Sequence, residues 1–157
     1  LFENKGDLFL DGLTELSDQM VKLIGKHKYS VSLNGLTHLS DSAAEGLSKH
    51  GYLYLDGIVE LSDAGAKSLS KCKGSLSLGG LTELSDIAAE SLAKRKGDFA
   101  IGGNKYERPM QQLSLPGLTS LSDAAAESLS KYKGCLDINL DNIPESAAQI
   151  LRDAGHE

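Results

Sequence analysis

The chain of 157 residues has no tryptophan, two cysteines and three prolines. Two thiols, Cys72 and Cys135, can build neither a disulfide scaffold nor a multi-cysteine zinc site, and they read as unpaired. No Lys/Arg-rich run occurs. With 16 basic residues against 22 acidic ones the formal net charge is −6, which leaves no electrostatic footprint for DNA or RNA, and nucleic acid is not an expected partner. Uninterrupted apolar stretches are only a few residues long, far short of the roughly 20 that cross a bilayer, so membrane insertion is not expected. Nothing resembles a signal peptide, and the compartment stays open. What is present is 40% apolar side chains, enough for one domain with a real core but hardly for two. A single domain over 1–157 is the expectation.

One phrase returns along almost the whole length. Its clearest copy runs from Leu76-Ser77-Leu78-Gly79-Gly80-Leu81 through Leu84-Ser85-Asp86 to Lys94-Arg95-Lys96-Gly97. The opening Leu-x-Leu, or a close variant, recurs at Leu8, Val31, Leu53, Leu76, Leu113 and Leu136, in steps of 23, 22, 23, 37 and 23. The long step divides as 23 plus 14 if Phe99-Ala100-Ile101 is a further strand in phase. On that reading residues 102–112, which contain Pro109, form an irregular loop too short for a helix, and the helical layer has a gap there.

Each unit has two halves with different physics. Leu8-Phe9-Leu10 alternates, so both leucines face one side of a short strand and Phe9 the other. A glycine at 12, 35, 57, 80 or 117 then offers backbone freedom for a turn. Leu84-Ser85-Asp86 supplies a serine cap and an acid at a helix entrance, which predicts helix starts near Asp18, Asp41, Asp63, Asp86 and Asp123. Ala88, Ala89 and Leu92 share a stripe, while Glu90 and Lys94 stand one turn apart on the opposite side. Lys94, Lys96 and Gly97 end the unit with positive charge at the negative helix end. Such a helix has two to three turns.

A strand–turn–helix unit of 22–23 residues cannot bury its own leucines, whereas stacked copies bury them against their neighbours. The predicted fold is therefore α/β, a right-handed solenoid with strands near 8–10, 31–33, 53–55, 76–78, 99–101, 113–115 and 136–138. Leu-x-Leu, the further leucines and the helix, in a unit of this length, resemble the leucine-rich repeat family over essentially the whole chain. That resemblance implies a parallel sheet on a concave face with helices outside. It is closest to an atypical, bacterial-like variant, because the position of the family's buried asparagine holds Leu13, Leu36, Ile58, Leu81 and Leu118. The neighbouring Thr14, Thr37, Thr82 and Thr119 either replace that ladder with hydroxyls or are plain turn residues. Leu1-Phe2-Glu3-Asn4-Lys5-Gly6 aligns with the tail of a unit, which points to a longer parent chain. Residues 136–157, with Pro144 in place of the capping serine, read as a terminal cap.

A catalytic centre brings unlike groups together, whereas an array repeats one group every 22 or 23 residues. The Ser-Asp pairs at 17–18, 40–41, 62–63, 85–86 and 122–123 are thus helix caps, not nucleophile and acid. His27, His38, His50 and His156 have no metal-site spacing and read as solvated. Gly79-Gly80 and Gly102-Gly103 lack the context of a phosphate loop. We assign no catalytic, metal or cofactor residue, no small-molecule substrate, and no enzyme activity. Function is placed instead on outward strand positions, which a parallel sheet displays one rung per repeat. Phe9, Tyr52 and Tyr54, with Asp11, Asn34 and Asp56 beyond the strands, have the mixture of aromatic anchors and polar acceptors found in interface cores. Tyr106 and Arg108 in the break add two more anchor types. The expectation is a protein-binding module; a structural spacer, or a regulatory domain attached to an enzyme elsewhere in a longer chain, is the alternative.

Overall fold

The computed structural model describes residues 6–27, 29–96 and 112–156. Among them, six strands alternate with six helices in a repeating, solenoid-like α/β arrangement. The first four units consist of β1 (Leu8–Phe9) and α1 (Asp18–Ile24), β2 (Val31–Ser32) and α2 (Asp41–Leu47), β3 (Leu53–Tyr54) and α3 (Asp63–Leu69), and β4 (Leu76–Ser77) and α4 (Asp86–Ala93). Two more follow, β5 (Gln112–Ser114) with α5 (Asp123–Leu129), and β6 (Cys135–Asp137) with α6 (Glu145–Asp153). All strands pair in parallel and in chain order, with the first leucine of each unit opposite its counterpart: Leu8 with Val31, Val31 with Leu53, Leu53 with Leu76. Helices begin at the five aspartates that the sequence marks and run for about two turns.

The register follows from burial. Leu53, Leu55, Leu76, Leu78, Leu113 and Leu115 are buried in one continuous core with the helix stripe Ala88, Ala89 and Leu92 and its equivalents, so slipping one residue would expose the whole set. Phe9, Tyr54 and Ser77 lie on the other side of the sheet.

The long step resolves differently from expectation. Leu76 pairs directly with Leu113 and Ser77 with Ser114, so no rung stands between β4 and β5. Nor does the helical layer open there, because α4 lies directly against α5 and the Ser122 hydroxyl donates to the Asp86 carboxylate just as Ser85 does to Asp63. Unit five thus sits on unit four as though the intervening residues were not there. The strand expected at 99–101 falls outside the described residues, as does the loop expected at 102–112 except for Gln112, which opens β5 instead.

The turn glycines also have another reason than the one the sequence suggests. Among the described residues only Gly155 has a positive φ. The strands β1 to β5 instead leave through the same turn, in which the amide of Leu36 or Ile58 donates to the carbonyl of Leu33 or Leu55. That turn lies on the backbone of the preceding one. A Cβ on Gly57 would stand 2.1 Å from the Asn34 carbonyl oxygen, and one on Gly35 would stand 2.1 Å from that of Asp11. Close approach, rather than a left-handed conformation, excludes a side chain there.

Candidate functional site

Three surfaces could carry function: the outward face of the sheet and the two edges where strands and helices are joined.

On the sheet face the aromatic residues behave as expected of outward positions. Phe9 is 71% exposed and Tyr54 38%, while Tyr52, just before β3, is half-buried. Between them Ser32 is buried. The polar residues beyond the strands are also bonded to the neighbouring units, which the sequence alone does not show. Asp11 Oδ1 accepts from the Ser32 hydroxyl at 2.5 Å and the Asn34 amide at 2.9 Å. Those two bonds hold its carboxyl below the usual carboxylate range, the hydroxyl contributing most. Asn34 Oδ1 accepts from the Asp56 amide at 2.9 Å, and Asp56 Oδ1 accepts from the Ser77 hydroxyl at 2.5 Å and the Gly79 amide at 2.8 Å. A ladder of Asp, Asn and Asp therefore ties units one to four, one residue beyond each Leu-x-Leu. It stops where Gly79 and Pro116 occupy that position. The threonines contribute little by comparison: Thr14, Thr37, Thr82 and Thr119 are exposed, and the one hydroxyl bond among them runs from Thr119 to the Thr82 carbonyl at 3.3 Å.

The edge between strands and helices bears a second ladder. Each capping serine accepts from an amide three residues on, as Ser85 does from Ala88 at 3.0 Å. Ser62, Ser85 and Ser122 also donate to the aspartate of the unit before, Ser62 to Asp41 at 2.5 Å. The Ser-Asp pairs are caps, and they bond between units as well.

At the opposite edge, where helices return to strands, the third residue of each of the first five exits, counted from the last leucine or isoleucine of the helix, turns inward. His27, His50, Cys72, Arg95 and Tyr132 occupy this one column, and all are buried. The expectation of solvated histidines is wrong for two of them: His27 is 6% exposed and His50 1%. Lysines and exit turns beside a histidine suggest solvent, but the His50 amide donates to the carbonyl of Leu47, the buried last residue of α2, at 3.2 Å, and the side chain is buried with it. Both His50 ring nitrogens and His27 Nε2 are buried without a hydrogen-bond partner. Burial, with His27 nearby as a second cause, pushes His50 below its ordinary titration range. Burial pushes the Cys72 thiol up to about 11. The Arg95 guanidinium donates to the carbonyls of Gly74, of Cys72 and of Gln112, the last two at 3.5 Å, which clasps the end of α4 to the start of β5. Burial lowers its pKa from the ordinary value and raises that of Tyr132.

Around this column the exits are basic. Lys71 and Lys73, Lys94 and Lys96, and Lys131 and Lys133 flank the buried residue as pairs, with Lys26 and Lys49 on the earlier exits, and all are exposed. No acid occurs within 25–30, 48–52, 70–75, 93–96 or 130–134. Conversely, no Lys or Arg occurs within 10–18, 33–41, 55–63, 78–86, 115–123 or 138–145. Sequence reading missed this segregation because the lysines lie a unit apart along the chain and form a row only when the units stack.

Of the residues expected at a binding site, Phe9, Tyr52 and Tyr54 are thus on the sheet face, Asp11, Asn34 and Asp56 are in the ladder at its border, and Tyr106 and Arg108 lie outside the described residues. Among the described residues no group of three or more His, Cys, Asp or Glu side chains could hold a metal ion, and no helix is long and apolar enough to cross a membrane. No protein-family model matches the chain, and no curated protein matches it.

Proposed function

We propose that the chain is a leucine-rich-repeat-like recognition module, without catalysis of its own, that binds a protein partner through the outer face of its sheet. The observation that supports this most directly is Phe9, 71% exposed on a strand, with Tyr54 two rungs away on the same face. Strands about 4.7–4.9 Å apart put these rings within one hot-spot footprint. A large aromatic side chain left in water on a rigid sheet is preorganised, so a partner gains its apolar area at little ordering cost. The chain isolated as bait should retain a partner that a Phe9→Ser, Tyr54→Ser double variant loses, with the same thermal midpoint for both baits. Equal recovery by both would refute the assignment.

A spacer role is the second reading, and the hydroxyl rungs support it. Ser32, Ser77 and Ser114 each donate to an acid of the stack, the last to Asp137 at 2.6 Å, which leaves those rungs bonded to their own array. Under that reading neither bait enriches any protein.

A further inference from the structure

We infer that the segment bound on the sheet face is a basic, extended peptide, and that Phe9 with Asp11, and Tyr54 with Asp56, form two seats for its arginine or lysine side chains. This rests on the sheet-face reading above and adds to it the chemistry of the partner.

Aromatic and acid occur together on this face. Asp11 follows Phe9 by two residues, and Asp56 follows Tyr54 by two, the spacing that keeps side chains on one side of a strand. The other described units put a polar residue on the rung and an uncharged one at the ladder position: Ser32 with Asn34, Ser77 with Gly79, Ser114 with Pro116, Asp137 with Asn139. Asp7, also exposed, precedes Phe9 by two residues, so that ring has a carboxylate on either side along its strand.

The ladder does not need the charge. Asn34 Oδ1 accepts from the Asp56 amide at 2.9 Å, as Asp11 Oδ1 accepts from the Asn34 amide at 2.9 Å. A neutral side chain thus does the same structural work in unit two. Asp11 and Asp56 each make both of their bonds through Oδ1, to a serine hydroxyl and a backbone amide, and Oδ2 is bonded to nothing among the described residues. No cation offsets either carboxylate, because the segments stacked around them, 10–18, 33–41, 55–63 and 78–86, hold no Lys or Arg. Glu15 and Glu60 lie in those same segments and add charge of the same sign. The exit lysines stand at the opposite ends of the strands. The two bonds to Asp11 keep its carboxyl below the usual carboxylate range, so it is ionised at neutral pH.

A ring face and a carboxylate oxygen side by side suit one kind of side chain. A guanidinium or ammonium over the ring meets its negative face and donates to the oxygen at the ring's border, whereas a neutral side chain gains only the first contact and an acid is repelled. Phe9 pairs in register with Ser32, and Ser32 with Tyr54, so the two seats lie two rungs apart, about 9.4–9.8 Å. A polyproline-type chain returns to the same side every third residue, after about 9.3 Å. Basic residues three apart on such a segment fill both seats, and adjacent ones cannot.

The probe is a short labelled peptide with arginine at every third position in a proline and serine background. Fluorescence anisotropy should show it binding the wild-type protein, less tightly as salt rises from about 0.05 to about 0.5 M. Its spacing isomer with adjacent arginines, and its analogue with citrulline for arginine, should each bind at least about tenfold more weakly. The Asp11→Asn, Asp56→Asn variant should lose at least about tenfold while keeping its thermal midpoint, since Asn34 already serves the ladder. Glu60→Gln, Glu83→Gln changes net charge by the same amount away from the rings and should stay within about threefold of wild type. Absence of binding to the wild type, equal binding of the citrulline analogue, or equal weakening by the two charge variants would each overturn the basic partner. None of these outcomes touches the sheet-face reading, which stands if the bait with Phe9→Ser, Tyr54→Ser still loses a protein that the asparagine variant retains. Unchanged peptide binding by that serine variant would overturn the seats and count against the face as well.

Discussion

The two edges of this array are joined to the same six helices and built on opposite rules. Where strands pass into helices, the first five units use nearly the same residues, and the serine of one unit bonds the aspartate of the unit before at three successive junctions: Ser62 with Asp41, Ser85 with Asp63, Ser122 with Asp86. Where helices return to strands, the buried position changes from unit to unit, and four buried nitrogens of His27, His50 and Arg95 find no hydrogen-bond partner. Repetition of one residue type allows a ladder, since each group meets its own counterpart at a fixed offset. A column of His, His, Cys, Arg and Tyr cannot form one, so each junction is settled by its own chemistry. The first edge holds the stack in register, and the second makes each junction distinct.

Four measurements would break or sharpen that contrast. Both edges rest on the shared leucine core, so Leu78→Ala should cost roughly 2–5 kcal/mol in chemical denaturation. Ser77→Ala, which removes one bond of the Asp56 ladder, should cost about 1 kcal/mol; equal losses would contradict the facing of the two residues.

At the ladder edge, Gly57→Ala should cost about 3 kcal/mol, because the clash is with backbone that cannot swing away. Gly12→Ala meets no atom within 4 Å and should stay within about 0.5 kcal/mol of wild type. If both are harmless, the close approach of successive turns is not what selects glycine.

The helix-exit edge should respond to acid. His50 is held neutral by burial, its folded pKa below the unfolded value of about 6.5. The unfolded chain therefore takes up the proton first, so stability is fully present above about pH 6.5 and declines as pH falls through that value. The decline is at most about 1.4 kcal/mol per pH unit, and it ends once the folded-state pKa is passed. Urea melts from pH 7.5 to 5 should show it, and His50→Phe should flatten the dependence; an identical pH slope in the variant would remove His50 from the account.

The smallest effect concerns the thiols, neither of which is in a disulfide. Only one strand, β5, separates β4, which Cys72 precedes, from β6, which holds Cys135, and two rung spacings still exceed the Cα separation of about 7 Å that a disulfide tolerates. Exposed Cys135 should react with iodoacetamide in the native protein, and Cys72, buried with its thiol at about 11, only after denaturation. Early double labelling would show that the exit column opens.

How far the sequence could be read followed from the range of each interaction. Strand and helix halves are local patterns, so Leu76-Ser77-Leu78 and Ser85-Asp86 announce their elements without help. The cap role of Ser62 was legible for the same reason, but its bond to Asp41, 21 residues away, was not. Lys49-His50-Gly51 reads as solvent-exposed turn, and only the stacking of units makes the middle residue buried. A step of 37 residues is compatible either with an extra rung or with a skipped excursion, and arithmetic on the period cannot choose between them. The sheet face was read correctly for Phe9 and Tyr54, whose exposure depends on alternation alone. It could not show the bonds that Asp11, Asn34 and Asp56 make, because their partners come from adjoining units.

The direct seating of β5 on β4 separates order along the chain from order in space. The contacts described across that junction, from the Leu76–Leu113 pair to the Arg95 clasp on Gln112, join residues 17 or more positions apart along the chain. The described residues of the fourth and fifth units therefore fit each other face to face, and covalent connection enters as the effective concentration at which the two faces meet. In this sense the protein is already two pieces that recognise each other, and its length could change at this seam without a change in the shape of what is built.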